Sequence, residues 1–453
     1  MNSQPSYFRH LLFYQLIVYI LVLPIFLISY LISYVDILWA MPYIFVAVLI
    51  FILVGNYYSG LYLNSTYSLF IIAFSLFIGG RFFAYLFNDR LNLYEMDFFA
   101  YYNLKPIDAL NLMTYLVTGI ISLDLGYKVA RISNKAFPDI GINHQWMRKL
   151  SIFSLFLAPL FMIETVLQVR DAISGGYLSS KLWQTQSYSF PLSSLAQTIF
   201  GICFGYSMVF GFKRTIFIVI FIFGVIGSLL VGARGPIMTA LLLYIWIKGS
   251  NGQKRVSLFK VFSIGLIVMV SVSYFIQMYS FRSNEEDFES DIFMFLADFL
   301  YDQGISVMVF DVSMKVTDYP ILAYFQSFIP GSSALASLMF PVEYYMTGFQ
   351  HYMARELDPD LFSLGFGLDW TLFSDFYVFG GENILGFSII GFLFGYSLSV
   401  LQNSSKLDFW IILLFSLFTR IMFLPRSSVS VIFPFICYFF IFVFLFPRLR
   451  FSR

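Results

Sequence analysis

Arg234 lies in a short break between two apolar segments, within the stretch Leu229–Pro236. Pro236 suits the first turn of a helix, a position that needs no N–H donor. The glycines Gly232 and Gly235 let backbone N–H groups approach an anion, and the new helix adds the positive end of its dipole. An arginine at the edge of a hydrocarbon layer is costly unless it has a partner. We interpret the stretch as an anion site at one side of a membrane; the alternative is an arginine that snorkels or forms an ion pair at a helix end.

Other arginines are predicted to approach the same side of the membrane at a similar depth. They are Arg170, Arg282, Arg355, Arg420 and Arg426. A guanidinium binds phosphate through two parallel hydrogen bonds and keeps its proton, so several of them between apolar helices suit a lipid-linked pyrophosphate. The alternative, ion pairs with outer carboxylates, is equally good for Arg282 and Arg355, which lie beside acidic sequence. Arg234 and Arg426 have no acid close in sequence and are the strongest candidates.

Two aspartates and one histidine are candidates for a proton acceptor, which a transfer onto a hydroxyl requires. Asp375 is the first choice and Asp369 the second, because both lie in a glycine- and aromatic-rich stretch just before an apolar segment. For each, the alternative is a helix cap or a surface aspartate. His351 is the histidine predicted on the same side, and it could be the base instead. It has no second ligand nearby in sequence, so we predict no metal and no cofactor.

The composition places these residues in a polytopic integral membrane protein. Of 453 residues, 59% are hydrophobic and 12% are charged, whereas soluble chains carry about a quarter of charged residues. The net charge of +1 gives no reason to expect nucleic acid as a partner. Cys203 and Cys437 both fall in apolar segments and indicate neither a disulfide framework nor a metal site.

Apolar segments long enough to span a membrane recur about twelve times, at about 20 residues each. They cover residues 11–34, 40–63, 67–87, 108–130, 150–169, 192–212, 215–231, 237–247, 260–280, 382–401, 409–424 and 429–446. The predicted fold is an all-α membrane bundle. Nine spans fall in residues 1–280 and three in residues 382–453, with a large helical periplasmic loop over residues 281–381.

Lysine and arginine at alternate ends of the spans fix the predicted orientation. Nearly every carboxylate falls on the opposite face, which is the positive-inside pattern with both termini in the cytoplasm. The arginines above and the long loop then lie on the outer face. Loop residues such as Phe293, Phe295, Phe299 and Phe310 are too apolar to be left in water. We therefore expect the loop helices to fold back over an outer-facing cavity.

Five short pieces of sequence occur in an order that resembles a known family. They are Gly175–Ser180, Val231–Pro236, Asp302–Ser306, Gly365–Leu368 with Ser374–Asp375, and Pro425–Ser428. By these pieces the chain resembles the bacterial O-antigen polysaccharide polymerases of the Wzy type. It departs from them at Asp369–Thr371, where the family usually has a Gly-Ser-Ser-like run, and at Asp375, where the family usually has a glutamate.

The resemblance implies an inverting, metal-independent glycosyltransferase of the bacterial inner membrane. Such an enzyme moves a growing glycan from undecaprenyl pyrophosphate onto a lipid-linked repeat unit, and fixed arginines can stabilise the departing pyrophosphate. Its partners would be the two lipid-linked substrates, membrane lipid, a chain-length regulator and a flippase. The alternatives are an O-antigen ligase, which transfers the glycan to lipid A core, and a flippase or other transporter, which predicts short loops throughout.

Overall fold

The computed structural model describes residues 4–96, 102–185, 192–249 and 292–451, together with residues 263, 267 and 271. Helices form most of it. One two-stranded antiparallel hairpin pairs β1 (Glu95–Met96) with β2 (Tyr102–Asn103). The predicted span over residues 260–280 lies outside the described residues, as does Arg282.

The described residues up to 249 contain nine α-helices. They are α1 (Gln4–Leu31), α2 (Met41–Tyr58), α3 (Thr66–Phe77), α4 (Gly80–Tyr85), α5 (Pro106–Ile132), α6 (His144–Thr185), α7 (Ser193–Phe210), α8 (Arg214–Leu230) and α9 (Gly235–Lys248). A 3-10 turn over Val35–Trp39 connects the first two helices.

The described part of the second half begins at Ile292. Its helices are α10 (Ile292–Gln303), α11 (Ser306–Ser313), α12 (Ile321–Phe328), α13 (Ser332–Ser337), α14 (Phe349–Leu357), α15 (Pro359–Ser363), α16 (Leu372–Phe379), α17 (Ile384–Ser404), α18 (Asp408–Phe423), α19 (Phe433–Phe440) and α20 (Phe446–Phe451). Short 3-10 turns cover Tyr344–Thr347, Leu424–Arg426 and Val429–Val431, and a π-helical turn over Ile441–Leu445 joins the last two helices.

Seven helical segments in the described part are long and apolar enough to cross a membrane. They are Met41–Tyr58, Pro106–Ile132, His144–Ser174, Ser193–Phe210, Ile384–Ser404, Asp408–Arg426 and Val429–Arg448. Shorter apolar helices cover Gln15–Leu31, Thr66–Phe77, Arg214–Leu230 and Gly235–Lys248. The prediction of a mostly helical, multi-pass membrane protein is confirmed, whereas the count of twelve spans and the periplasmic loop stay predictions.

The predicted span over residues 67–87 is wrong as a single helix. The helix stops at Phe77 and a separate short helix begins at Gly80. Gly80 packs directly on the backbone of α10, and a Cβ there would lie 2.4 Å from the carbonyl oxygen of Leu300. The chain bends because α4 packs against a helix more than 200 residues away in sequence, a contact that hydropathy cannot reveal.

Residues 292–381 lie against the membrane helices. Every residue of α11 is buried. Phe310 is fully buried and packs near the rings of Phe373 and Phe387, while Phe299 is 3% exposed. The expected burial is confirmed for these two phenylalanines; the side chains of Phe293 and Phe295 lie outside the described residues.

A buried polar cluster joins the first helices of the bundle. The carboxylate of Asp124, on α5, accepts hydrogen bonds from the hydroxyls of Tyr19 and Tyr67 and from the ammonium group of Lys128. Asp124 is fully buried and Lys128 is 3% exposed. Because Tyr19 belongs to α1 and Tyr67 to α3, the cluster fastens both helices to α5.

Candidate functional site

Arg234 occupies the turn between α8 and α9, as the sequence predicted. Gly232 has a φ of +94°, a conformation that favours glycine. Gly235 packs so closely on the ring of Phe423 that a Cβ would lie 2.2 Å from it. The sequence therefore breaks the helix here for two separate reasons, a turn and a close contact with α18.

The guanidinium of Arg234 forms an ion pair that the local sequence did not reveal. Its Nη1 donates to Oδ2 of Asp302, on α10, at 2.8 Å. The arginine side chain is 21% exposed and the aspartate 56% exposed. The ion-pair alternative is therefore the arrangement in this structure. Such a pair in contact with solvent contributes about 1 kcal/mol or less.

Arg234 still has donors available for an anion. A guanidinium carries five N–H donors, and Asp302 accepts from one of them. The Nε atom of Arg234 bonds to no group in the described part of the chain. That Nε atom is buried, so an anion can meet Arg234 only through its Nη atoms.

Arg426 repeats this arrangement at the end of α18. Its Nε donates to Oδ2 of Asp369 at 2.7 Å, and the two side chains are 21% and 52% exposed. Arg426 follows Phe423 by three residues, and Phe423 is the ring against which Gly235 packs. Two partly exposed arginine–aspartate pairs thus belong to chain segments that meet where Gly235 packs on Phe423.

Asp375 lies in the first turn of α16 and is only 1% exposed. Its Oδ1 accepts from Nε1 of Trp370 at 2.9 Å and from the Ser428 hydroxyl at 3.1 Å. Its Oδ2 accepts from the backbone N–H of Val429 at 2.6 Å. Burial raises the pKa of Asp375 to about 7, although all three hydrogen bonds act to lower it. Both carboxylate oxygens are bonded to protein donors, so Asp375 holds the 424–431 turn in place.

A cavity of about 440 Å³ lies on the other side of that turn. It is enclosed by the start of α7, by α12, by the start of α14 and by the residues that precede and begin α19. The lining residues are Ser194, Leu195, Thr198, Ala323, Gln326, Ser327, Pro330, Gly331, Thr347, Gly348, Phe349, Gln350, His351, Ser428, Ser430, Pro434 and Tyr438. Its volume falls within the range of about 300–1,000 Å³ that is usual for small-molecule sites.

His351 is the predicted site residue that lines this cavity. Its ring lies 4.2 Å from that of Tyr344, centroid to centroid, and one ring nitrogen is 3.4 Å from the amide nitrogen of Gln350. Burial lowers the pKa of His351 to about 4, so the imidazole is neutral at neutral pH. Asp375 does not line the cavity; Ser428 lies between the two, bonded to Asp375 and present in the cavity wall.

The other predicted arginines have different surroundings. Arg170 pairs with its sequence neighbour Asp171 at 2.9 Å and is 65% exposed. The guanidinium of Arg355 stacks on the ring of Tyr345 at 3.7 Å. Arg420 donates to the carbonyl oxygen of Val431 at 3.2 Å and therefore supports the same turn that Asp375 holds. Of the predicted arginines that the structure describes, Arg234 and Arg426 are the two that pair with an aspartate distant in sequence.

The sequence analysis did not identify several residues of this region as part of a site. Asp302 belongs to one of the five pieces that resemble the family. The sequence analysis did not predict its ion pair with Arg234. Gln326, Ser430 and Tyr438 line the cavity, yet they are far apart in sequence and carry no motif. Among the described residues, no group of three or more histidine, cysteine, aspartate or glutamate side chains is placed to hold a metal ion.

Comparison with protein families gives one match. A family model described as O-antigen polysaccharide polymerase Wzy matches residues 14–449, nearly the whole chain. Comparisons with curated proteins and with solved structures gave no match.

Proposed function

The chain belongs to the O-antigen polysaccharide polymerase Wzy family, and on this basis we propose that it polymerises undecaprenyl-pyrophosphate-linked repeat units at the periplasmic face of the bacterial inner membrane. The alternation of cationic and acidic span ends supports this orientation, with both termini in the cytoplasm. The membrane domain is formed by residues 1–280 and 382–453. Residues 281–381 form the periplasmic loop, which supplies Asp302, His351, Asp369 and Asp375.

The proposed reaction is a single displacement at the anomeric carbon of the donor glycan. A hydroxyl oxygen of the acceptor repeat unit forms the new glycosidic bond. The bond from the anomeric carbon to the pyrophosphate oxygen breaks, and the lipid pyrophosphate leaves with the electron pair. The hydroxyl proton passes to a base. Attack opposite the leaving group inverts the anomeric configuration.

Arg234 and Arg426 are the residues to which we assign the two lipid pyrophosphates. One observation carries this assignment: each arginine is 21% exposed, and each bonds an aspartate distant in sequence through one of its nitrogens. The two arginines belong to chain segments that meet where Gly235 packs on the ring of Phe423. Fixed guanidinium groups stabilise the negative charge that develops as the pyrophosphate leaves. They supply this charge without Mg²⁺, which is normally held by carboxylates.

His351 is the base that the geometry favours. An acceptor hydroxyl in the cavity can reach its imidazole, whereas both oxygens of Asp375 are bonded to buried donors. Asp369 is half-exposed, but it is bonded to Arg426 and so lies on the leaving-group side. The base in an inverting displacement acts on the opposite face of the sugar. We therefore assign Asp375 a positioning role and His351 the proton transfer.

The banding pattern of lipopolysaccharide from a deletion strain tests this function. Loss of a polymerase leaves a single repeat unit on the core, while loss of a ligase or a flippase leaves the core bare. We expect the single-repeat band, and restoration of the long ladder by the wild-type gene. A bare core would overturn the polymerase assignment in favour of the ligase or transporter alternative. Co-purification with the protein from the strain that carries the restored wild-type gene tests the proposed contacts with a chain-length regulator and a flippase.

A further inference from the structure

We propose that the cavity beside Ser428 is a glycan subsite that accepts uncharged sugar residues and rejects acidic ones at the acceptor's non-reducing end. This inference rests on the proposed function and adds a substrate class to it. Its basis is the chemistry of the wall, which is polar but carries no fixed charge.

Neutral hydrogen-bonding groups dominate the cavity wall. Serine and threonine hydroxyls, two glutamine amides, one imidazole and one phenol line it. Among the described residues that line it, there is no lysine, arginine, aspartate or glutamate. Phe349 and Tyr438 add aromatic rings. Apolar and aromatic surface with a few convergent polar groups is typical of sites for small molecules.

Several of these polar groups are available to a ligand. The hydroxyls of Ser430 and Tyr438 make no hydrogen bond to any protein group in the described part of the chain. The side-chain oxygen of Gln326 accepts from the Ser332 hydroxyl at 2.6 Å and from the N–H of Ser333 at 3.1 Å. These bonds fix the amide, so the NH₂ group of Gln326 remains as a donor for a sugar hydroxyl.

The missing charge determines which sugars fit. The carboxylate of an acidic sugar would lose water on entering the cavity and would find no cation in the wall to replace it. His351 does not provide one, because burial holds the pKa of its imidazole at about 4. A neutral sugar loses only hydroxyl–water hydrogen bonds, which the wall can replace.

The position of the cavity connects it to the proposed reaction. Arg426, Ser428 and Ser430 follow one another along a single turn, and Asp375 anchors its middle through Ser428 and the N–H of Val429. A sugar bound beside Ser430 is therefore held near the arginine to which we assign a pyrophosphate. His351 lines the same cavity.

Direct binding to the full-length purified protein tests the proposal. The probe is the single repeat-unit oligosaccharide, released by mild acid from its undecaprenyl-pyrophosphate-linked form. A second sample has its primary alcohols oxidised to carboxylates. Calorimetry with the wild-type protein should give binding at least about tenfold weaker for the oxidised sample, because its buried carboxylate is unpaired.

A charge introduced into the wall should change this preference. Ser430→Lys places a cation in the cavity and should bring the oxidised sample to an affinity equal to or above that of the neutral one. Ser337→Lys is the matched control, because Ser337 is exposed on α13 and does not line the cavity. It should keep the wild-type preference.

Three results would overturn the subsite. They are equal binding of both samples to the wild type, identical behaviour of the two lysine variants, or a uronic acid at the non-reducing end of the natural repeat unit. The lipopolysaccharide banding pattern tests the proposed function separately. A bare core together with the expected binding preference would reject the polymerase assignment and leave the neutral-sugar site in place.

Discussion

The hydroxyl of Ser428 donates a hydrogen bond of 3.1 Å to the carboxylate of Asp375, and the same serine lines the 440 Å³ cavity. A buried acid on α16 is thus connected to the cavity through one side chain. The neighbouring N–H of Val429 bonds to the other carboxylate oxygen. Asp375 therefore fixes the turn that carries Arg426 on one side and Ser430 on the other.

Asp375→Asn should destabilise the protein by about 1–3 kcal/mol, because an amide NH₂ would face at least one of the three donors now bonded to the carboxylate. Thermal unfolding of the purified protein in detergent measures this. Asp369→Asn is the control, since Asp369 is half-exposed and pairs with Arg426 at the surface, so its loss should cost about 1 kcal/mol or less. Equal stability of the two variants would show that Asp375 does not hold the turn.

Arg234→Lys should abolish the long O-antigen ladder, with a loss of rate on the order of a hundredfold or more. Lysine keeps the charge and can keep the ion pair with Asp302, but it cannot present two parallel donors to a phosphate. Arg170→Lys should leave the ladder unchanged, because Arg170 is 65% exposed and pairs with its neighbour. A full ladder from Arg234→Lys would make Arg234 a structural anchor.

His351→Gln should lower the polymerisation rate by about 10²–10⁴-fold while leaving the neutral oligosaccharide bound, since a general base contributes about that much. Glutamine retains hydrogen-bonding capacity in the cavity wall but cannot take up the proton. Gln350→Ala, which changes the adjacent lining residue, is the control for a general disturbance of the cavity. If His351→Gln polymerises at the wild-type rate, another group accepts the proton.

Arg234 and Asp375 illustrate which features of the site can be predicted from the sequence and which cannot. The helix break at Arg234 was predictable because Gly232, Gly235 and Pro236 encode it locally. The family was also predictable, from short pieces in a fixed order, and the family comparison confirms it. The ion pair with Asp302 was not predictable, because it joins helices that meet only in the folded chain.

Asp375 was the first choice for a base because of its chemistry and its place before a span. Nothing in the local sequence reveals that Ser428 and Val429 surround it. The prediction of one continuous helix over residues 67–87 was wrong for the same reason, because Gly80 packs on Leu300, a residue far away in sequence. Local signals locate helix ends and chemical groups, while burial and pairing arise from long-range contacts.

Stability should depend on pH through Asp375 and His351 in opposite directions. The folded pKa of Asp375 is raised from 3.8 to about 7, so its contribution to stability is present below about pH 4 and is lost as the pH rises towards 7. The folded pKa of His351 is lowered from 6.5 to about 4, so its contribution is present above pH 6.5 and is lost as the pH falls towards 4.

Melting temperatures between pH 4 and pH 7.5 separate the two groups. Relative to wild type, His351→Gln should lose the part of the profile that rises with pH, and Asp375→Asn the part that falls with pH. Both profiles should be measured in the same detergent and salt, with Asp369→Asn as the reference variant. A profile of Asp375→Asn parallel to that of the wild type would show that Asp375 does not titrate in this range.

A double-mutant cycle should show that the buried pair of Asp124 and Lys128 stabilises the fold. Lys128→Met alone leaves a buried carboxylate with only the two tyrosine hydroxyls as partners, and breaking such a pair costs about 3–5 kcal/mol. Asp124→Asn alone leaves the lysine charge unpaired and should cost about as much. The double variant removes both charges and should recover most of the loss, because it leaves no buried charge without a partner. Thermal unfolding measures all three, and the O-antigen ladder should return with stability in the double variant. A stable double variant that leaves a single repeat unit on the core would instead give the pair a direct role in polymerisation, and one that leaves the core bare would favour the transporter alternative.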